Sequence, residues 1–193
     1  MIRKFLIYVG ICITLIGCKK DPQIKPLVLD INAGDSTSQG IHFVKLNKTL
    51  SSYNPTSFAL YVIEDRVSYF EFEAYIQHYS PQAYSVLDFV NSISPLKNAF
   101  ICIDVKGHPR ALNFGDRIND TMNWLDSTNL LLLEAEIGPQ PFFISYVGNW
   151  RFTSDKYLGF KIIDRLLTYK GWIRIGESMN GDKEIKDFAF VTY

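Results

Sequence analysis

Val67-Ser68-Tyr69-Phe70-Glu71-Phe72-Glu73-Ala74-Tyr75-Ile76 alternates along its whole length. In an extended chain Ser68, Phe70, Phe72, Ala74 and Ile76 fall on one side, and Tyr69, Glu71, Glu73 and Tyr75 on the other. That is the period of a strand with one face buried. Working outward, apolar runs of similar kind occupy Leu27 to Ile31, Ile41 to Leu46, Ser57 to Ile63, Ala99 to Val105, Leu130 to Ile137, Phe142 to Val147, Tyr157 to Ile163, Gly171 to Gly176 and Ile185 to Tyr193. Turn residues separate them, among them Lys106-Gly107-His108-Pro109, Gly138-Pro139 and Asn180-Gly181-Asp182. One segment differs. Ser80-Pro81 offers a cap and a first-turn proline ahead of Ala83, Val86, Leu87, Val90 and Ile93, which suits a short helix as well as it suits a strand. About ten short strands joined by turns predict an all-β fold, an antiparallel β-sandwich or jelly roll with at most one short helix. Within the C-terminal runs, Trp172, Arg174 and Gly176 are expected on one face, with Ile173 and Ile175 on the other. Phe188 and Phe190 are expected opposite Ile185, Ala189 and Val191. A last strand apolar on both faces belongs inside a sheet.

The N-terminus carries an address. Arg3 and Lys4 precede an uncharged run from Phe5 to Ile16, too short for a hydrocarbon layer that needs roughly 20 apolar residues. The run ends in Leu15-Ile16-Gly17-Cys18 and turns at once to Lys19-Lys20-Asp21-Pro22. This succession resembles the lipobox of bacterial lipoprotein signals. The resemblance implies cleavage before Cys18, alkylation of its thiol with diacylglycerol and acylation of the new amine. Several acyl chains exceed what lasting membrane attachment requires. Lys19, rather than the Asp that favours inner-membrane retention in enteric bacteria, points to the outer membrane, on its periplasmic or its outer face. The expected organisation is a signal peptide over 1–17, a lipidated tether over 18–25 and a β-sandwich domain over 26–193.

The 193-residue chain has 20 basic and 20 acidic side chains, and losing Arg3 and Lys4 tips the remainder slightly negative. Nothing there draws nucleic acid. Cys12 leaves with the signal and Cys18 is committed to lipid, so Cys102 has no partner for an internal disulfide. It sits in Phe100-Ile101-Cys102-Ile103, where a small buried hydrophobe is the expectation rather than a nucleophile.

The C-terminal half carries a second resemblance. Ala111-Leu112-Asn113-Phe114-Gly115-Asp116-Arg117-Ile118 is followed by Trp124, by Gly148-Asn149-Trp150 and by Lys156-Tyr157-Leu158-Gly159-Phe160. Tyr169-Lys170-Gly171-Trp172-Ile173-Arg174-Ile175 and Ile185-Lys186-Asp187-Phe188-Ala189-Phe190 complete it. The series resembles secreted and lipid-anchored β-sandwich proteins of Bacteroidetes, and a related module in exosortase-sorted proteins. Their pattern runs G-D-x-I, W, Y-x-G-x-[RK], Y-G-W-I-R and I-K-D-Y-A-Y. Lys170 stands where that pattern has an aromatic, and Gly34 where a D-x-N-x-D-G loop would place an acidic ligand. The resemblance implies a fold and a cell-surface setting, and no activity.

Asp30, Asn32 and Asp35 supply oxygens at spacings seen in calcium loops, but the twelfth position from Asp30 is Ile41 and no bidentate Glu follows. A polar turn is the better reading. Glu71 and Glu73 lie roughly 6.5–7 Å apart along one strand face, within the span of about 5–9.5 Å that glycosidases use. Neither Phe70-Glu71-Phe72-Glu73 nor Glu134-Ala135-Glu136 matches the E-x-D-x-x-E strand of laminarinase-type jelly rolls, so a solvated face is expected. His42, His78 and His108 are isolated, and serine-hydrolase, phosphate-loop and dinucleotide fingerprints are absent. Trp124, Trp150 and Trp172 are expected to pack in or near the core. The expectation is a lipoprotein with no catalytic, metal or cofactor site, whose domain is structural or binds a glycan or protein. The alternative is a jelly-roll enzyme that degrades or modifies glycans, which would place two acidic side chains in a concave face beside an exposed Trp.

Overall fold

A computed structural model of the chain describes residues 30–193 except 52, 64–66, 80–85, 139–142, 152–153 and 179–181. The expected signal, Cys18, the tether, Leu27 to Leu29, Ser80-Pro81 with Ala83, Pro139 and Asn180-Gly181 lie outside the described residues. The strands are β1 (Ile31–Asn32), β2 (His42–Leu50), β3 (Thr56–Leu60), β4 (Phe70–Tyr79), β5 (Val86–Pro95), β6 (Ala99–Ile103), β7 (Ala111–Leu112), β8 (Arg117–Ile118), β9 (Asn123–Leu125), β10 (Leu130–Gly138), β11 (Phe143–Val147), β12 (Lys156–Asp164), β13 (Leu167–Glu177) and β14 (Lys183–Thr192).

Among the described residues the fold is all-β, an antiparallel sandwich. A narrower sheet runs β11-β10-β5-β4-β3, and a wider one runs β2-β14-β13-β12-β6-β9 with β7 also on β12. Between them the inward side chains form one continuous core. Leu60, Phe70, Phe72, Ile93 and Leu132 of the narrower sheet meet Ile101, Leu158, Phe160, Ile173 and Phe188 of the wider one. Phe70 and Phe160 meet edge to face at 5.3 Å, the arrangement that ring quadrupoles favour.

The wider sheet is apolar on its other face as well. There Leu112, Tyr157, Trp172, Ala189 and Val191 are covered by Ile31, Ala33 and Ile118. These three come from the β1/β8 ribbon and its flank, in which Ile31 pairs with Ile118. Tyr157 stands perpendicular to Trp172 at 5.2 Å, and the Trp172 indole N–H donates to the Asp35 carbonyl at 3.1 Å. Gly34, at φ 83°, packs against the Phe114 ring and the Tyr157 hydroxyl, leaving no room for a side chain. β14 therefore lies inside the wider sheet, between β13 and β2, as a strand apolar on both faces should.

One open segment is decided, and two expectations need correction. The undecided segment is strand over Val86–Pro95, the central strand of the narrower sheet, and no described residue is helical. Val90 pairs with Tyr75 on the outer face and Ile93 with Phe72 on the inner, and both are buried. A strand buried on both faces loses its period of two and imitates a helix in spacing. Ile185 joins Phe188 and Phe190 in the central core rather than opposing them, because a bulge between Ile185 and Asp187 adds Lys186 and resets the parity. Tyr69 lies ahead of β4, outside its alternation, and turns into the same core. The short β7, β8 and β9, with two or three residues each, had no readable period.

Gly171 sits in mid-strand with Trp172 beside it. A β-carbon there would strike the Ala189 carbonyl oxygen and the Phe160 ring, so the glycine is the slot that seats Phe160. We expect Gly171→Ala to destabilise the purified chain by about 1–3 kcal/mol through overpacking. Trp172→Ala should cost about 3–5 kcal/mol, a large share of the roughly 5–15 kcal/mol a domain has. Leu166→Ser, at a side chain 97% exposed, should change stability by less than about 0.5 kcal/mol. Urea midpoints measure all three, and an unshifted midpoint for Trp172→Ala would contradict the two-faced core.

Candidate ligand-binding cleft

The carboxylates singled out from sequence are each occupied or dispersed. Asp30 pairs with Arg117. Asp35 accepts from the Ser38 hydroxyl and from the Thr37 and Ser38 amides at 3.1 Å each. The Ser38 hydroxyl chiefly, with those amides, outweighs desolvation and holds the Asp35 carboxyl below its usual range. Asn32 points to solvent in β1. Among the described residues no three His, Cys, Asp or Glu side chains converge as a metal site. Glu71 and Glu73 flank Ser94 and Ser92 on the outer face of the narrower sheet. Glu73 borders a depression of about 250 Å³ lined otherwise by Pro55, Thr56, Ser57, Ala74 and Tyr75, so among the described residues no second carboxylate joins it there. Glu134 is half-buried on β10, and the Glu136 side chain lies outside the described residues.

The other candidates are structural in their contacts. Cys102 is buried, 3.5 Å from the Met122 sulfur, and burial pushes its thiol up to about 11. A thiol in that state is neither reachable nor ionised near neutrality. Trp150 is fully buried and donates to the Pro109 carbonyl at 3.1 Å, beside a 3.1 Å bond from Asn149. The Gly-Asn-Trp stretch thus clasps the Asp104–Pro109 turn, whose Asp104 carboxylate accepts from the Lys106 and His108 amides and from Asn149. Trp172 is buried and Trp124 half-buried. No exposed Trp and acidic pair share a concave face among the described residues.

His42 is the exception. It lies on β2 opposite Phe190, stacked on that ring at 5.0 Å and 15°, and Phe190 stacks on Phe188 at 6.2 Å and 12°. Val44 faces the same way, and Thr192 and Tyr169 carry this inner face across β14 to β13. Tyr61, Val62 and Ile63, the segment leaving β3, form the opposite wall. Between them is an open cleft of about 730 Å³, with Phe43 at its rim. Tyr61 is 54% exposed, and among the described residues no Asp, Glu, Lys or Arg lines the space. A volume of roughly 300–1,000 Å³, apolar walls and a few polar tips characterise small-ligand and side-chain sites. Here the tips are the His42 imidazole and the hydroxyls of Tyr61, Tyr169 and Thr192.

In sequence His42 is one of three isolated histidines, Phe188 and Phe190 read as strand residues, and nothing singles out Tyr61 or Thr192. These residues come from three places in the chain and share no motif. The Phe188, Phe190, Thr192 alternation was the one available signal.

No protein family, curated protein or solved structure matches the chain.

With Asp30 and Asp35 already serving Arg117 and the Ser38 turn, EDTA should leave the melting temperature of the purified chain unchanged within about 1 °C. A larger fall, reversed by added Ca²⁺, would show that the Asp30–Asp35 loop holds a cation.

Proposed function

We propose that this chain is an extracytoplasmic lipoprotein, held on the outer membrane through lipidated Cys18, whose β-sandwich binds an uncharged, largely apolar group in the cleft between its sheets. The observation that carries the binding role is the cleft itself: an aromatic shelf of His42, Phe190 and Phe188 facing Tyr61 across about 730 Å³, with no charged side chain among the described residues of its lining. A glycan or a segment of another protein can supply such a group. The anchor rests on the signal-like N-terminus and its Leu-Ile-Gly-Cys ending. Among the described residues no helix is long and apolar enough to cross a membrane.

The enzymatic reading, a glycan hydrolase, has less to support it. It calls for two carboxylates about 5–9.5 Å apart around a substrate, and the described residues of the cleft offer none.

Two measurements test the proposal. Cells fed radiolabelled palmitate should label the wild-type chain, and Cys18→Ala should lose the label and its membrane retention; label persisting in the variant overturns the anchor. For the cleft, Thr192→Trp or Val44→Trp fills space without emptying the core. Either should abolish whatever binding a glycan array and a synthetic peptide panel detect with the full chain, while Leu166→Ser preserves it. Binding that survives both fillings places the site elsewhere.

A further inference from the structure

We propose that the cleft's occupant is an extended peptide that adds as a strand to the open edge of β2, with an apolar side chain in the cleft and an acidic residue beside Lys45. This rests on the cleft reading above and names the ligand that reading leaves open.

The wider sheet stops at β2. It pairs with β14 on one side, and among the described residues no strand pairs with the other. At nine residues β2 is longer than the edge strands β3, β11 and β9, which have five, five and three. An edge of this length presents unpaired N–H and C=O groups, which fit an incoming extended backbone. Proteins disable such edges with bulges and lysines, and β2 does so over part of its length. The ladder shifts between Lys45 and Lys48, leaving Leu46 and Asn47 opposite Lys186, and Asn47 takes a φ of 54°. The regular stretch left open is His42–Lys45, about 13 Å long at a strand's rise. It is also the stretch that carries the exposed apolar residues, Phe43 and Val44, each 39% exposed.

The cleft opens along that same stretch. His42 and Val44 are on its side of the sheet, so every second residue of an added strand points into the cleft. The apolar aromatic lining suits a large apolar side chain, and the free edge suits the backbone that carries it. Charge sets the flank. Residues 41–50 hold Lys45 and Lys48 and no carboxylate. Lys45 lies opposite Asp187, but that carboxylate is bonded by Arg174, at 2.9 Å from Nε, and Lys45 makes no ion pair among the described residues. A second copy of β2 would bring no acid to it, which argues against self-pairing. An acidic extended peptide complements the edge.

The test uses the full chain in detergent and a synthetic library of acetylated nine-residue peptides, beside a panel of neutral oligosaccharides. Enriched peptides should carry a large apolar residue and an Asp or Glu. A bound member should slow amide exchange within His42–Lys45 at least about tenfold, as new backbone hydrogen bonds do. Methylating alternate peptide nitrogens in one frame should abolish binding, the other frame being tolerated. Lys45→Glu should weaken binding about tenfold and turn the preference toward Lys, and Thr192→Trp should abolish it. No enriched peptide, or enrichment with neither frame of methylation mattering, overturns strand addition. An oligosaccharide that binds, is blocked by Thr192→Trp and leaves β2 exchange unchanged keeps the cleft and overturns the peptide. Peptide binding indifferent to Thr192→Trp overturns both readings.

Discussion

β13 has no wet face. On one side Ile173 and Ile175 enter the core between the sheets, and on the other Trp172 is roofed by the β1/β8 ribbon. Most sandwich strands bury one face and solvate the other. Here the polar residues on the roofed side must each find a partner inside the protein. Lys170 is buried, 3.0 Å from Asp120, with its ammonium 4.9 Å above the Tyr193 ring. Desolvation works against that charge, but hydrogen bonds to Tyr193 and Asp120 outweigh it and raise the lysine's pKa. Arg174 grips the buried Asp187 through two nitrogens and reaches Asp155 at 3.5 Å, which in turn takes Lys186 at 2.7 Å. Such pairs add little net stability over apolar residues of the same size, yet removing one member leaves a buried charge alone. They act as register marks for three adjacent strands and the loops beside them.

The same constraint accounts for what could be read from sequence. β4 was legible because it lies near the edge of the narrower sheet, with one side dry and Glu71 and Glu73 on the other. β5 was not, since Val90 and Ile93 are buried on opposite faces and their spacing imitates a helix. β14 was legible as an interior strand from its two apolar faces, but the extra Lys186 put Ile185 on the wrong side. In sequence Gly171 is only a glycine at the start of a strand run, beside Trp172. Only the approach of Phe160 and the Ala189 carbonyl, both distant in sequence, shows it to be a slot. Strands as short as β8 leave no period at all.

The cleft follows from two sheets of unequal width. β2 closes the wider sheet and β3 the narrower, and the chain leaving β3 at Tyr61 runs as a wall rather than as another strand. The inner face of β14 therefore continues past the cover that the narrower sheet supplies. Phe188 and Phe190, members of the main core, have neighbours on that face that are open to solvent. No local pattern announces such a place, because it is defined by where the second sheet ends. His42, Tyr61 and Thr192 are unremarkable in sequence and become a group only through register.

That origin separates the residues that can set specificity from those that hold the fold. Phe190 is 8% exposed, stacks with both His42 and Phe188, and meets Tyr169 edge to face at 5.9 Å. Deleting a ring so placed removes core packing worth about 3–5 kcal/mol, so loss of binding in a Phe190 variant would say nothing about contact with a ligand. The rim is different. His42 and Tyr61 are exposed and Thr192 is half-buried, and their polar atoms are not spent on the interior packing. Substitutions there alter size and hydrogen bonding at small cost to folding. A floor fixed by the core beneath a rim free to vary lets one sandwich accept different partners, and it is at the rim that binding and stability can be measured apart.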